Sequence, residues 1–549
     1  MRRSATLLLL VCLCGCRSPE AWRRQADEAA ARSIAEAQRA AFGSERPFTI
    51  ERPSDTLRRR LQIPAATNGP APAATNLVLT LADCLRVGAL NSPAYQDRKE
   101  LVFRSALALD LERHAFENSY SGLLSGGIST DRSSDPSEDK ATGSAGVGVT
   151  RKLKSGATLS TKMSLDVVKL LTGDRESSLG ALADATVTIP LMRGAGREVV
   201  TEPLTQAERN LMYALLQFER YKDEFTVGIA SDCLSVLLAG QQVRIANDNL
   251  KRLEDSLARA QALGQAGRLP ATEVDQTQQD LLRARQSVII TRQQAEARVD
   301  ELKLSLGLPI DADVRIDENE TRRVAALVTA RLDASGPAPD DPAEADCIAS
   351  ALTRRQDLRV TRGQAEDAER QVRVAANALK AGLDVTLHGS EQDRTYHNSD
   401  TADIRFGNGG YSGLVNVDLP WERTSERNAY RNALLALDKA RRDLETTEDQ
   451  VKKSVREALR TLRETRETYL IQRRAVELAD RRVRSTALFL EAGRAQTRDV
   501  LEAGDALVSA QNALAASVVA YSRARWALAR DTGRMRVDED GGWNMEAMP

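Results

Sequence analysis

The sequence predicts a mostly α-helical chain with a β-barrel portion, organised as two helix–strand–helix repeats. Three observations support this prediction. Segments of the first half recur in the second half in the same order, long stretches keep an apolar heptad, and the stretches between them alternate apolar with polar residues. Heptads are typical of coiled-coil helices, and alternation is typical of strands with one apolar face.

The internal repeat is clearest at its opening, where residues 82–126 align without gaps to residues 345–389. Three matches follow one another in the same order: Ala82-Asp83-Cys84-Leu85 with Ala345-Asp346-Cys347-Ile348, Val187-Thr188-Ile189-Pro190 with Val417-Asp418-Leu419-Pro420, and Ala266-Gly267-Arg268 with Ala492-Gly493-Arg494. The offset between the halves drops by 33 residues after the first match, from 263 to 230. The first repeat therefore contains about 33 extra residues.

The helix after each turn keeps a heptad. Its members are Val274, Leu281, Val288, Ala295 and Leu302 in the first repeat, and Val500, Leu507, Leu514, Tyr521 and Leu528 in the second. The helix before the first turn extends from about residue 202 to 264, which is roughly 95 Å at 1.5 Å per residue. An amphipathic helix of a soluble bundle is the alternative, but few globular domains are that wide.

The segments between the helices alternate in polarity. The apolar members are Ala185, Val187 and Ile189 in one segment, Leu383, Val385 and Leu387 in a second, and Val415, Val417 and Leu419 in a third. A water-filled barrel in lipid needs one apolar and one polar face, although a half-buried sheet of a soluble domain shows the same pattern. The extra residues of the first repeat predict an added hairpin that turns at Lys154-Ser155-Gly156. The sequence leaves open whether this hairpin extends an external loop or enters the barrel.

The N-terminus predicts export. Arg2 and Arg3 precede an apolar run over residues 5–13 that is too short to span a bilayer. The run ends in Leu13-Cys14-Gly15-Cys16, which is similar to the lipobox of bacterial lipoproteins. This pattern makes residues 1–15 a signal peptide and Cys16 the lipidated first residue, a secretory signal without lipid being the alternative. No later segment is apolar enough for a membrane helix, so a membrane span of the exported chain would be a β-barrel.

Composition and motifs exclude several function classes. The formal charge is −1, and loss of Arg2 and Arg3 with the signal peptide gives −3, which argues against a nucleic-acid binder. The sequence contains no Gly-rich phosphate loop, nucleophile elbow or metal-ligand cluster, so no enzyme activity, cofactor or metal is expected. Cys84, Cys233 and Cys347 are isolated, which favours small buried apolar residues, and a Cys84–Cys347 disulfide stays open.

Three motifs of the repeats are similar to those of a known family: Leu79 to Leu85 followed by Asn91-Ser92-Pro93, then Ile189 to Arg197, and the two turns Gly267 to Val274 and Gly493 to Ala503. Through these motifs, residues 79–532 resemble the TolC-like outer-membrane efflux proteins, the outer membrane factors, in their lipoprotein form. The resulting division is 1–15 signal peptide, 16–78 lipid-anchored extension and linker with a helix near 19–41, 79–310 first repeat, 311–341 linker, 342–532 second repeat, and 533–549 polar tail.

The resemblance implies a homotrimer. Each chain would give two hairpins to one twelve-stranded transmembrane barrel, and the helices would continue it as a hollow coiled-coil barrel across the periplasm. Helices 80–118 and 271–307 would stack end to end and span as far as one long helix. The implied function is a passive exit duct in the cell outer membrane, part of a tripartite efflux or type I secretion system. Its partners would be a periplasmic adaptor (membrane fusion) protein, outer-membrane lipid and, indirectly, an inner-membrane transporter.

The resemblance also assigns roles to the two turns. The adaptor-docking residues would be Gly267, Arg268, Leu269, Thr272, Gly493, Arg494 and Thr497, and a simple helix-hairpin turn is the alternative. Asp499 and Glu502 lie three residues apart on one helical face and match acidic gate residues. A ring of such carboxylates favours cations, but acids in a first turn also stabilise the helix dipole. Glu273 matches the acid of a gate-holding link whose Arg position is Ala495 here, so that the link is absent or is supplied by Arg494 or Arg498.

Two other protein classes share some of these features. A periplasmic adaptor lipoprotein also combines a lipid anchor, a helical hairpin and β-structure, but it would carry one hairpin rather than two whole repeats. A structural coiled-coil lipoprotein would form no barrel and no trimeric pore. The sequence does not identify the exported substrate.

Overall fold

The computed structural model describes residues 17–51, 61, 77–131, 138–170, 178–333, 343–396, 408–538 and 542–543. The described helices are α1 Pro19–Phe42, α2 Leu81–Asn91, α3 Pro93–His114, α4 Arg197–Val200, α5 Glu202–Gln265, α6 Ala271–Ser305, α7 Glu318–Asp333, α8 Glu344–Arg354, α9 Gln356–Ala378, α10 Thr424–Glu491 and α11 Thr497–Asp531. The described strands are β1 Leu77–Leu79, β2 Asn118–Asp131, β3 Glu138–Lys152, β4 Thr158–Leu170, β5 Ser178–Pro190, β6 Val314–Ile316, β7 Gly382–Tyr396 and β8 Asn408–Asp418. None of the helices in these ranges is both long and apolar enough to cross a membrane.

Two very long helices dominate the chain. The helix α5 has 64 residues and α10 has 68, which correspond to about 96 and 102 Å. The prediction of a helix over 202–264 is confirmed by α5. The heptad positions of the tip helices α6 and α11 are also confirmed, because Leu281, Val288 and Leu302 are buried in α6 and Leu507, Tyr521 and Leu528 are buried in α11.

The prediction of one helix over residues 80–118 is wrong. The chain forms α2 and α3 instead, and β2 already begins at Asn118. The break lies at Ser92, which has an extended backbone (ψ 124°) because the ring of Pro93 disfavours helical geometry in the residue before it. Pro93 then starts α3, where its missing N–H is not needed. The threonine of the opening motif also has a local role, since Thr80 and Asp83 form a capping box at the start of α2.

The structure divides into two compact units, each drawn from separate stretches of sequence. One unit, here the sheet unit, comprises Met1–Phe48, Val102–Leu215 and Val360–Leu444, and the other, the tip unit, comprises Thr49–Leu101, Leu216–Arg359 and Glu445–Pro549. Because α5 and α10 each contribute to both units, the units do not correspond to the two sequence repeats. The assignment of domains by repeat stays a prediction.

In the sheet unit, α5 and α9 are held together by buried polar groups. The Tyr213 hydroxyl donates to Asp367 (2.7 Å), and Arg370 donates to Glu202 (3.1 Å). Asp367 and Glu202 are less than a tenth exposed, so these charges need their partners to offset the loss of hydration. A Cβ at Gly363 would overlap the Tyr213 ring, so glycine permits this close approach of the two helices. The helix α1, predicted near 19–41, belongs to this unit and is tied to α3 by the Arg113–Glu36 ion pair (2.8 Å).

The tip unit contains two buried apolar clusters. One surrounds the parallel pair β1–β6 and includes Cys84, Cys233 and Leu306. The other joins α8, α10 and α11 and includes Cys347 and Tyr521. Cys84, Cys233 and Cys347 are buried and not disulfide-bonded, which confirms the prediction of small buried residues and leaves no Cys84–Cys347 disulfide.

Two segments predicted as a linker and a tail contain ordered structure. Residues 311–341, predicted as a linker, include β6 and α7. Beyond α11, Met535 and Val537 are buried in the first cluster, and the ring of Trp543 lies 5.4 Å from that of Trp526. Residues 62–76 of the predicted N-terminal linker lie outside the described residues.

Candidate functional site

The larger sheet is antiparallel and has the strand order β2-β3-β4-β5-β7-β8. Residues that face one another across neighbouring strands lie on the same side of a sheet, and successive residues of one strand lie on opposite sides. The register therefore assigns every strand residue to a face. Val147, for example, pairs with Met163, and Leu159 pairs with Val187, which in turn pairs with Leu387.

All six strands place most of their apolar residues on one face, here the apolar face. Its larger members are Tyr120, Leu124, Ile128, Val147, Val149, Leu159, Met163, Leu165, Val187, Ile189, Leu383, Val385, Leu387, Tyr411, Val415 and Val417. The alternation predicted from the sequence is thus preserved from strand to strand. A slip of one residue at any pairing would have moved a strand's apolar side chains to the other face.

The opposite face, here the polar face, carries hydroxyl, amide and charged groups. Its members include Ser121, Ser125, Ser144, Ser160, Lys162, Ser164, Asp184, Thr186, Asp384, Thr386, His388, Ser412, Asn416 and Asp418. Within it, Thr186 is hydrogen-bonded to His388 Nδ1 at 3.0 Å. Each face has exceptions, such as Leu414 on the polar face and Glu391 on the apolar face.

The apolar face is largely uncovered in the single chain. Tyr411 is 93% exposed, and Ile128, Val147 and Val415 are all more than half exposed. Monomeric soluble proteins rarely expose a contiguous apolar surface of this extent. An exposed apolar surface of this kind indicates a site of contact with lipid or with another protein chain.

The second part of the candidate site consists of the two helix turns of the tip unit, which have the same backbone. In the first turn, between α5 and α6, Gly267 has φ +72°, and the N–H of Arg268 donates to the Leu263 carbonyl (2.9 Å). In the second, between α10 and α11, Gly493 has φ +69°, and the N–H of Arg494 donates to the Phe489 carbonyl (2.7 Å). This is the Schellman closure of a helix, in which glycine commonly takes the position with positive φ.

The predicted docking side chains differ in exposure. Arg268, Thr272 and Arg494 are exposed, whereas Leu269 is half-buried and Thr497 is buried. Exposed arginines beside the two glycines are free to meet a partner, but no observation on this chain tests docking. The docking role stays a prediction.

The carboxylate of Glu273 connects the two tips. It accepts a hydrogen bond from the Thr497 hydroxyl (2.8 Å) at the start of α11. Among the described residues, the side-chain partner of Glu273 is thus Thr497 and neither Arg494 nor Arg498. Of the two expected alternatives, the described residues fit the absence of an arginine link, and a hydroxyl–carboxylate hydrogen bond joins the tips instead.

Asp499, at the matching position of the second tip, has a local partner instead. Its carboxylate accepts from the backbone N–H of Gln496 (2.9 Å) and completes a capping box for α11. Glu502 forms a long contact with Arg482 (3.4 Å), and both side chains are more than half exposed, so this pair contributes little. The capping bond fits the alternative of helix stabilisation for Asp499, and a gate role for Asp499 and Glu502 stays a prediction.

Two features near the tips were not predicted from the sequence. Pro270 is the N-cap of α6, and a proline three residues before Glu273 was the available signal. Asp505 of α11 has a raised pKa, chiefly from burial and further from the neighbouring Asp280 of α6, while Arg283 lowers it. No motif marked this approach of two acids, because it depends on how α6 packs against α11.

Two further predictions concern lipid and metal. The lipidation residue Cys16 and the signal peptide lie outside the described residues. In the described ranges, no group of three or more histidine, cysteine, aspartate or glutamate side chains could hold a metal ion.

Known proteins match this chain in structure rather than in sequence. No protein-family profile and no curated protein matches the sequence. The solved CmeC outer-membrane channel of Campylobacter jejuni matches with a TM-score of 0.59 at 11% identity, over 85% of this chain and 87% of that chain. The open-state MtrE outer-membrane channel of Neisseria gonorrhoeae matches with a TM-score of 0.58 at 12% identity, over 89% of this chain and 97% of that chain. The outer-membrane protein VceC of Vibrio cholerae matches with a TM-score of 0.59 at 14% identity, over 82% of this chain and 96% of that chain.

The matches cover 87–97% of these solved chains. At 11–14% identity the likeness concerns the fold. The chain has the fold of the TolC-like outer-membrane efflux channels.

Proposed function

We propose that the chain is one subunit of a homotrimeric outer-membrane channel, a passive exit duct of a tripartite efflux or type I secretion system that catalyses no reaction. The observation that carries this proposal is the sheet whose register separates an apolar from a polar face across six strands. The similarity to solved outer-membrane channels supports it.

The apolar face would contact lipid and the polar face would line water. Backbone groups of a sheet in lipid must all be paired, so the sheet has to close with other copies into a barrel. The two outermost strands, β2 and β8, would supply the pairing edges between copies. An interface in which one patch meets a different patch of the next copy generates a ring.

The helices would extend the duct into the periplasm. The lengths of α5 and α10 suit a conduit of about 100 Å. We expect a periplasmic adaptor to bind the turns around Gly267 and Gly493, and an inner-membrane transporter to act through that adaptor. Glu273, Asp499 and Glu502 lie next to these turns and are the acids expected to control passage at the narrow end.

The lipid anchor is a separate part of the proposal. Cys16 would be the first residue of the mature chain, shortly before α1, whose N-cap is Ser18. If Cys16 carries lipid through its sulfur, the denatured mature chain exposes three reactive thiols, from Cys84, Cys233 and Cys347. A fourth thiol would contradict lipidation without affecting the channel.

Two adjacent residues of β8 give a matched test of the membrane role. Val415 lies on the apolar face and is 62% exposed, and Leu414 lies on the polar face and is 63% exposed. A Val415→Arg variant should lose membrane insertion, because arginine facing the middle of a bilayer costs about 2–4 kcal/mol for each strand that carries it. The Leu414→Arg variant should insert like wild type, because its side chain would face water.

Insertion would be measured as the fraction of heat-modifiable, detergent-stable trimer recovered in outer membranes. Loss in Val415→Arg with retention in Leu414→Arg supports the lipid-facing assignment. Equal insertion of both variants, or a lipidated protein that forms no stable oligomer at all, would contradict the proposal and favour an adaptor or structural lipoprotein.

A further inference from the structure

The hairpin formed by β3 and β4 is the part of the sheet that the two-repeat pattern does not require. We propose that this hairpin belongs to the wall of the pore, so that each chain supplies six strands and the trimer closes on eighteen. This inference rests on the proposed trimeric channel and specifies its width.

The first observation is continuous pairing. The strand β3 pairs with β2 from Asn118 to Asp131 and with β4 from Lys140 to Lys152. The strand β4 then pairs with β5 from Thr158 to Val168. The hairpin thus lies between β2 and β5 along nearly their whole length and separates two strands that a four-stranded unit would pair directly.

The second observation is that the hairpin has the same two faces as the rest of the sheet. Val147, Val149 and Met163 lie on the apolar face, beside Tyr120 and Val187. Ser144 and Lys162 lie on the polar face, and Lys162 is directly opposite Asp184 of β5. A hairpin that projects into water has no need to keep this alignment, whereas a hairpin in a lipid-facing wall does.

The third observation concerns the edges of the sheet. The edge strands β2 and β8 carry no charged residue apart from Asp131 and Asp418 at their last positions, and neither contains proline. Soluble proteins protect edge strands with charges, prolines or bulges, so these edges are suited to pair with another strand. In the described residues, β2 and β8 do not pair with one another. The occupant of each edge is therefore a second copy of this chain.

The strand number also permits closure. Six is even, so β8 runs antiparallel to β2, and β8 of one copy can continue the antiparallel pattern into β2 of the next. Three copies then give a ring in which every neighbour is antiparallel, as single-chain outer-membrane barrels require. An odd number of strands per chain would have forced a parallel pair at each junction.

The consequence is a wide lumen. Barrel diameter grows roughly in proportion to strand number, so eighteen strands give about 1.5 times the diameter of the twelve expected from two hairpins per chain. Barrels of about 16–18 strands enclose an aqueous channel. The sheet of this protein would then admit bulky cargo freely, and selection by size would occur at the helical tips.

Cysteine substitutions at neighbouring positions of β4 test the wall assignment. Lys162 and Met163 are both exposed in the chain but lie on opposite faces. In trimers reconstituted in liposomes, Lys162→Cys should react with a charged maleimide, and Met163→Cys should react only with a lipid-soluble one. The native Cys84, Cys233 and Cys347 are buried, which keeps the background low. Reaction of both variants with the charged reagent would overturn the proposal and make the hairpin an external loop.

Removal of the β3–β4 hairpin tests the predicted width of the barrel lumen. Deletion of residues 138–177 leaves residues 132–137 to connect β2 to β5 and leaves four strands per chain. Neutral polymers of graded size, added to the outer side of single channels, should enter the deletion variant only up to about two-thirds of the diameter that wild type admits. An unchanged cut-off would contradict the proposal.

The two tests distinguish this inference from the proposed function. A wild-type protein that forms no pore would contradict both the proposed channel function and the eighteen-stranded wall. If wild type forms a pore but Lys162→Cys and Met163→Cys both react with the charged maleimide, only the eighteen-stranded wall is contradicted. If the deletion variant does not assemble, the labelling pattern alone decides.

Discussion

The two helical tips have the same backbone turn but use their acids differently. Glu273 and Asp499 occupy the same position, the third residue of α6 and of α11. Asp499 bonds back to the N–H of Gln496, whereas the residue matching Gln496 is Pro270, which has no N–H. Glu273 therefore has no capping bond to make and accepts from Thr497 of the other tip. A single proline thus converts a local helix cap into a contact between hairpins.

The largest effect is expected when the contact between the tips is broken. In Thr497→Val, the partly buried Glu273–Thr497 hydrogen bond is lost, and hydrogen bonds to charged groups contribute about 1.5–3 kcal/mol. Because the contact between the tips is weakened, hydrogen exchange of the backbone amides in the first turns of α6 and α11 should be faster. Thr272→Val is the matched control, since Thr272 is exposed, and should change little. Equal acceleration in both variants would show that the contact does not hold the tips.

A somewhat smaller effect should be common to both tips. Gly267→Ala and Gly493→Ala each place a Cβ at positive φ, which costs about 1–2 kcal/mol. Nothing lies within 4 Å of the added atom in either case, so the cost is purely conformational and should be similar in the two tips. Thermal unfolding followed by circular dichroism measures it. Gly504→Ala, inside α11 and also in open space, should be neutral or stabilising. A large difference between the two turn variants would mean that the turns are not equivalent.

Exchanging the N-cap residues Pro270 and Gln496 should exchange the hydrogen-bonding roles of Glu273 and Asp499. Pro270→Gln supplies an N–H that Glu273 can cap, a device worth about 0.3–1.5 kcal/mol, and the coupling between Glu273 and Thr497 should fall. A double-mutant cycle with Glu273→Gln and Thr497→Val, in both backgrounds, measures that coupling. Gln496→Pro should release Asp499 from its cap. If the coupling energy between Glu273 and Thr497 is unchanged in Pro270→Gln, the proline is not the cause of their contact.

The smallest effect concerns pH and a second difference between the tip helices. Asp280 of α6 is paired with Arg283, whereas burial and the charge of Asp280 raise the pKa of Asp505 of α11. A raised carboxyl pKa contributes stability that is fully present below the ordinary pKa and is lost as pH rises through the raised value. Thermal stability of the α6–α11 pair should therefore decrease slightly over that window, and Asp505→Asn should flatten the dependence. A dependence that persists in Asp505→Asn would have another source.

Features set by local sequence were predictable. The bounds of α5 and the turn at Gly156 follow from helical periodicity and from glycine in a turn, and they are confirmed. The alternation of Val187 or Val415 predicted strands with two faces. It could not predict that the five registers between these six strands would agree, because register depends on pairing between strands distant in sequence.

Features set by three-dimensional proximity were not predictable. The partner of Glu273 lies 224 residues away, and an acid at that position suggested an arginine rather than Thr497. The break at Ser92 has a local signal in Pro93, but the gapless repeat alignment over residues 82–126 favoured one continuous helix. The strand and helix within 311–341 were hidden by the expectation that repeats are joined by a linker.

The most direct test of the central claim is single-channel conductance. Detergent-purified trimer would be added to a planar bilayer and compared with the Leu414→Arg and Val415→Arg variants at equal protein. The account predicts discrete conductance steps from wild type and Leu414→Arg and none from Val415→Arg. A folded, lipidated wild-type trimer that produces no steps would contradict the channel.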